Sequence, residues 1–187
     1  MIDVLCIDDV LDEAACEALR AELRAAAGSA AGLLGRSEPA ERIRKVTRAN
    51  IPAATCARVT RLLIEQKGAL ERHFGLALGE CEEPQFLRYQ AGDFFVPHQD
   101  GNTPLVHDDS RFRKISVVLF LSTPSEEPLP GSYGGGDLVL HGPYSGPELR
   151  VPVDASPGTL VAFRAETTHE VTPVTHGERF TIVSWYR

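Results

Sequence analysis

Residues 179–187 read RFTIVSWYR. The run is dense in β-branched and aromatic residues and free of glycine and proline, so it reads as a β-strand. Side chains alternate between the two faces of a strand. Phe180, Ile182, Ser184 and Tyr186 therefore share one face, and Arg179, Thr181, Val183 and Trp185 the other. If the face of Val183 and Trp185 points inward, Arg179 points inward with it. A buried guanidinium without a partner is very costly, and no acidic residue nearby in sequence is an obvious mate. A bound carboxylate would satisfy it, because the planar fork matches a carboxylate through two hydrogen bonds. The alternative is that Arg179 starts the strand and reaches solvent.

The same texture extends back along the chain. PQFLRY (84–89), DFFVPH (93–98), RKISVVLFLS (113–122), GDLVLH (136–141), ELRVPV (148–153), GTLVAF (158–163) and HEVTPV (169–174) are short, apolar and separated by Gly/Pro clusters. With the first strand they make eight, which suggests a double sheet or barrel. The N-terminal third reads as helical. DEAACEALRAELRAAAG (12–28) opens on a capping aspartate, Asp12, and carries Cys16, Leu19, Leu23 and Ala26 as a stripe at helical spacing. A second helix is expected from about Ala53 to Phe74, with Val59, Leu63 and Leu70 on one side. The stretch between them, GLLGRSEPAERIRKVTRANIP (32–52), reads as a charged loop. The expectation is a mainly β, α+β fold of one domain over 1–187. Residues 1–79 would form helical support packed outside one sheet, and 80–187 the β core.

Composition narrows the classes. Hydrophobic residues make up 43% of the 187, enough for a real core, and the formal net charge of −7 argues against a nucleic-acid partner. No stretch approaches a membrane span, and the opening residues lack the basic start of an export signal. Cys6, Cys16, Cys56 and Cys81 follow no metal or disulfide spacing and read as reduced, buried residues of a cytoplasmic protein. The glycines of GSYGGGD (131–137) follow no strand–Gly–helix pattern and read as a turn into a strand. Two stretches, DGNTPLVHDDSRFRK (100–114) and TPSEEPLPGSYGGG (123–136), are long for connections and would close a barrel mouth over substrate.

FVPHQDG (95–101) carries the chemistry. In an extended strand His98 and Asp100 point to one face, where an imidazole and a carboxylate suit a divalent metal. A third ligand must come from elsewhere, and five other histidines are available. His73 ends a helix, His107 lies in a polar loop, His176 precedes Gly177 as a turn residue, and His141 ends a strand where it could line or close a pocket. His169 differs, because it follows the strand GTLVAF and leads HEVTPV, and metal ligands belong on or beside rigid elements. His98, Asp100 and His169 would form a facial triad of two imidazoles and one carboxylate, leaving three positions open on Fe(II).

Together these residues resemble the 2-oxoglutarate- and Fe(II)-dependent dioxygenases, in their prolyl 4-hydroxylase-like branch. The resemblance runs over RYQAGDFFVPHQD, RKISVVLFLS, GGGDLVL, GTLVAFRAETTHEV and PVTHGERFTIVSWY in order, with Arg179 ten residues after His169. It implies a double-stranded β-helix, or jelly roll, with the metal at its open end. It implies that His98, Asp100 and His169 bind iron and that Arg179 pairs with the distal carboxylate of 2-oxoglutarate. Tyr89 would also contact that co-substrate, and Trp185 and Val171 would line the pocket. Fe(II) and 2-oxoglutarate would serve as cofactor and co-substrate, with ascorbate admitted as an accessory reductant. O2 would be consumed, and no nucleic acid or membrane partner is implied. Halogenases of similar type lack the carboxylate, so Asp100 points to hydroxylation. The chain departs from the oxygen-sensing prolyl hydroxylases at Phe120, where they carry a tyrosine, and at Val183, where they carry a threonine. The substrate is therefore open between a prolyl residue of a protein and a free amino acid or other small metabolite. A silent metal-binding jelly roll acting as an interaction module is the competing reading.

Overall fold

The computed structural model describes residues 2–30, 42–104, 107–142 and 149–187. In chain order its elements are β1 (Val4–Ile7), α1 (Glu13–Ala25), β2 (Gly28–Ala30), β3 (Arg44–Lys45), β4 (Thr47–Ala49), α2 (Ala53–Phe74), β5 (Gln85–Gln90) and β6 (Phe94–His98). Then follow β7 (Ile115–Phe120), β8 (Thr123–Pro124), β9 (Ser132–Gly135), β10 (Leu138–His141), β11 (Arg150–Pro152), β12 (Leu160–Arg164), β13 (His169–Val171) and β14 (Val174–Tyr186). All eight expected strands are present.

Both helices form where their sequences begin and end them. The Asp12 carboxylate accepts from the Ala15 N–H at 2.8 Å and caps α1. Gly75, in the left-handed conformation at φ 64°, ends α2. Cys16, Leu19 and Leu23 of α1 and Val59, Leu63 and Leu70 of α2 are buried in one cluster with Phe86, Val117, Leu119, Phe180 and Ile182. The helices thus cover one face of the larger sheet. That sheet runs β1-β12-β7-β14-β5-β4-β2, with β8 and β9 attached through β14. The smaller sheet, β11-β10-β13-β6-β3, lies over its other face, and Val118, Phe120, Leu138, Leu140, Val161 and Phe163 pack between the two. Among the described residues, no helix is long and apolar enough to cross a membrane.

Several local expectations change. The charged stretch 42–52 is not a plain loop: Arg44–Lys45 pairs with Phe94 and Phe95, and Thr47–Ala49 pairs with β5 and β2. Residues 32–41 of that stretch lie outside the described residues, as do 105–106 and 143–148. The N-terminal third therefore contributes four strands besides its helices, each two to four residues long, set by neighbours rather than by periodicity. The stretch 123–136 is not a free mouth loop, since β8 and β9 pair in parallel and β9 joins the start of β14. His176 is not a turn residue: it lies in β14, opposite Gly134. Cys6 is exposed on β1 rather than buried, whereas Cys16 is buried and Cys56 and Cys81 are half-buried; all four are free thiols.

Candidate active site

The space between the sheets holds a cavity of about 910 Å³. Its walls include His98, Asp100 and His169 from the smaller sheet and its loop, and Arg179, Thr181, Val183 and Trp185 from β14. The inward face read from RFTIVSWYR is the cavity wall, and Phe180 and Ile182 lie on the helix side.

His169 and His98 sit directly opposite one another across β13 and β6, with a register shift immediately beyond. Their ring centroids are 4.2 Å apart. His98 Nε2 lies 3.6 Å from Asp100 Oδ1, and His169 Nε2 lies 3.4 Å from Asp100 Oδ2. One ligand atom from each of the three residues fits within 4.8 Å of the others. Backbone carbonyls fix the tautomers. His98 Nδ1 donates to Val96 O at 2.8 Å, and His169 Nδ1 donates to Thr167 O at 2.9 Å. A carbonyl can only accept, so both Nδ1 atoms carry a proton and Nε2 is the atom each ring turns toward the other ligands. This is the outer support expected of metal-binding imidazoles. Phe95 stacks on His98 at 3.4 Å and Phe163 meets His169 edge-on at 4.7 Å, which holds the rings in place.

Asp100 is held from two sides. Its N–H donates to Ala165 O at 2.9 Å, and Ser116 Oγ donates to its Oδ2 at 2.7 Å. Gly101 lets the chain after Asp100 pack against the 110–113 segment, because a Cβ there would collide with the Ser110 carbonyl and Arg113. Burial, first, and the neighbouring His169 push the His98 imidazole well below its usual range, with Arg44 adding to the shift and Asp100 opposing it. The imidazole is therefore neutral. Burial raises Asp100, but His169 and His98, the Trp185 indole and Ser116 outweigh it, so the carboxyl lies below its usual range. The Trp185 indole N–H is near enough to Asp100 to favour its ionised form but falls short of hydrogen-bond geometry, so its Nε1 is buried without a full partner. Two imidazoles that present Nε2 to a common point and one ionised carboxylate are a donor set that fits a divalent metal.

Arg179 is 1% exposed. It pairs across the sheet with Tyr89, and its guanidinium lies 5.1 Å from the Tyr89 ring and 5.2 Å from the Phe120 ring. Its one hydrogen bond among the described residues is a long one, Nη1 to Thr181 Oγ1 at 3.4 Å, and its Nε has no partner. No carboxylate of the described residues pairs with it. Gly136 makes room for the side chain, because a Cβ there would sit 2.9 Å from Arg179 Cδ. A buried, unpaired guanidinium on a cavity wall fits the far carboxylate of a dicarboxylate such as 2-oxoglutarate. Val171 and Tyr89 also line the cavity.

The remaining histidines go elsewhere. His73 Nε2 lies 3.2 Å from Asp3, His141 Nε2 lies 3.0 Å from Glu170, and His176 Nε2 is buried without a partner away from the triad. His107 is exposed at the cavity rim. Sequence reading missed Ser116, which holds Asp100, and the cavity-lining Arg44 and Gln99. Ser116 was legible in principle, as the second residue of the ISVVLF strand. Arg44 was not, because its stretch carries no strand period.

The comparisons agree with this geometry. Residues 84–187 match the 2OG-Fe(II) oxygenase superfamily. A PKHD-type hydroxylase of Maricaulis maris is 30% identical over 162 residues, covering 83% of this chain and 67% of that protein. A PKHD-type hydroxylase of Burkholderia ambifaria is 35% identical over 103 residues, where the match covers 54% of this chain and 41% of that longer protein. Among solved structures, a Pseudomonas putida prolyl-4-hydroxylase superposes with a TM-score of 0.75 at 24% identity, over 100% of this chain and 94% of that one. A Trichoplax adhaerens prolyl hydroxylase, solved with a hypoxia inducible factor peptide fragment, gives 0.72 at 19%, over 100% and 84%. These structures share the jelly-roll fold. The cofactor and co-substrate that the family implies, Fe(II) and 2-oxoglutarate, are the two ligands that the triad and Arg179 fit, and the chain belongs to the 2OG-Fe(II) oxygenase superfamily.

Proposed function

We propose that the chain is a 2-oxoglutarate-dependent hydroxylase acting on an unactivated C–H bond, with His98, Asp100 and His169 as iron ligands. The observation that carries this reading is Arg179, buried without a counter-ion on the wall that also faces the triad. When bound, Fe(II) supplies O2 activation coupled to decarboxylation: substrate R–H, O2 and 2-oxoglutarate give R–OH, succinate and CO2. The protein's part is placement. Arg179 holds the distal carboxylate, and Tyr89 and Phe120 flank the guanidinium and exclude water from it. His98 and His169 present Nε2, and Asp100, kept ionised, supplies the third ligand. No side chain of the triad needs to move a proton for this role. Residues 1–79 and 80–187 work as one unit, a reading supported by β1 and β4 continuing the larger sheet. The substrate is a prolyl residue of a protein or an amino acid or other small metabolite.

The test is succinate formation from 2-oxoglutarate with Fe(II) and O2, with ascorbate as reductant. Succinate released in step with O2 uptake supports the reading. A protein that binds metal but converts no 2-oxoglutarate is an interaction module instead.

A further inference from the structure

Arg179 is not the only unsatisfied cation of the cavity. Arg44, on β3, lines the same space and pairs in register with Phe95. Its guanidinium lies 4.8 Å from the centre of the Phe95 ring, which in turn stacks on His98. Arg44 Nε is buried and has no hydrogen-bond partner, and the residue forms no ion pair among the described residues. The third arginine of the wall, Arg113, differs, since it is neutralised by Glu82 at 2.6 Å and covers Trp185. Two cations therefore face one cavity without counter-ions among the described residues, in a chain whose net charge is −7. One co-substrate accounts for Arg179. Arg44 approaches the triad from the Phe95 side, on a different strand and in the other sheet.

An orphan acceptor lies beside the same histidine. Gln99, between His98 and Asp100, donates through Nε2 to Glu166 O at 2.8 Å and to Thr168 Oγ1 at 3.3 Å. The Glu166 carbonyl can only accept, which fixes the amide so that Oε1 is the free end. Gln99 Oε1 is buried, unpartnered and part of a cavity-lining residue. Leaving a donor and an acceptor dry costs stability, and a site built to pair such groups selects strongly for a ligand that supplies both partners.

Resting on the hydroxylase reading above, we propose that the primary substrate is a small, amino-acid-type molecule whose carboxylate docks on Arg44 and whose N–H donates to Gln99 Oε1. Arg44 supplies a charge-assisted pair and Phe95 a flat wall below it. Gln99 sets which end of the substrate turns toward the triad. A neutral prolyl residue inside a peptide offers no anion to Arg44.

Trp185 is the single tryptophan of the chain and lines this cavity, so its fluorescence reads binding without turnover. Protein loaded anaerobically with Fe(II) and 2-oxoglutarate, with Arg179 already engaged, is titrated with free L-amino acids, their C-terminal amides and their deamino analogues. Blocked peptides carrying aspartate or asparagine form a further arm, and succinate formation in air is read for every compound. At least one free acid binds and stimulates. Its amide is weaker by roughly 10- to 150-fold, the worth of a charge-assisted hydrogen bond, and its deamino analogue by roughly 2- to 12-fold. Arg44→Gln abolishes the preference for acid over amide, and Arg44→Lys restores part of it. The assignment is overturned if amides match acids, if no free acid binds, if only the aspartyl peptides bind, or if Arg44→Gln keeps the preference. If 2-oxoglutarate alone neither perturbs Trp185 nor yields succinate, the hydroxylase reading itself fails. If it does both and no acid preference appears, only the substrate assignment fails.

Discussion

The two faces of β14 are one residue out of phase and obey opposite rules. On the helix side Phe180, Ile182 and Tyr186 are buried among apolar neighbours, and the two polar groups of that face are satisfied: Tyr186 Oη donates to Leu63 O at 2.6 Å and Ser184 Oγ to Glu82 O at 2.6 Å. On the cavity side Arg179 and Trp185 are as deeply buried and leave Nε and Nε1 unpaired. Of the five buried side-chain atoms without a partner among the described residues, four belong to cavity-lining residues, Arg44, Gln99, Arg179 and Trp185. Native interiors rarely tolerate such atoms. Their collection on one side marks that side as built for ligands, and its opposite as built for stability.

The largest expected effect lies at the triad. His98→Ala, Asp100→Ala and His169→Ala each remove a ligand atom and should abolish turnover and weaken Fe(II) binding, read by succinate release and metal titration. Undiminished turnover with full metal occupancy in any of them would remove that residue from the site. Next is Arg179. Arg179→Ala should raise the KM for 2-oxoglutarate by roughly 10- to 150-fold, with Arg179→Lys between it and wild type. Arg179→Met, which removes the unpaired charge at similar volume, should stabilise the ligand-free fold by about 1–4 kcal/mol. A wild-type KM or a lower melting temperature for the Met variant would break the contrast between faces.

One step along the strand the signs reverse. Ile182→Ala should cost about 2–5 kcal/mol of stability through its cavity while leaving the KM for 2-oxoglutarate unchanged; a shifted KM would show that the faces are not independent. The smallest effect is a slope with pH. The folded-state pKa of His98 is depressed by burial below its ordinary 6.5. The unfolded chain therefore takes up the proton first, and metal-free stability should fall as pH drops below that value. Asp100, also depressed, adds in the same direction below its ordinary 3.8. His98→Gln should flatten the upper part of the slope in thermal melts, and an unchanged slope would remove His98 as its source.

Legibility followed the same division. The alternation of RFTIVSWYR exposed both faces of β14, because a strand thirteen residues long with an apolar side repeats its signal many times. The start of the first helix at Asp12 and the span of the second were legible, but the first helix ends at Ala25, short of the expected Gly28, which lies in β2 instead. The strands of two to four residues were not legible. β3 is Arg-Lys, and nothing in those residues marks a strand; Phe94 and Phe95 impose it. For that reason the convergence of the triad and Arg179 on one cavity, from long or motif-bearing strands, was readable, and the place of Arg44 was not. Ser116 was legible only in principle, as one small polar residue in a strand whose six residues are all buried.

Shared ownership of β14 also guards how the molecule assembles. A slip of one residue against β5 or β7 would turn Arg179 under the helices and Phe180 into the cavity. Thr181 and Trp185 would change sides and leave their cross-strand partners Phe120 and Ser116, and the cross-strand match of Arg179 with Tyr89 would be lost. Such a slip would place a bare charge in the best-packed apolar layer. The arginine proposed to bind the co-substrate would therefore also act as a proofreader of register, penalising misaligned chains before any ligand is present.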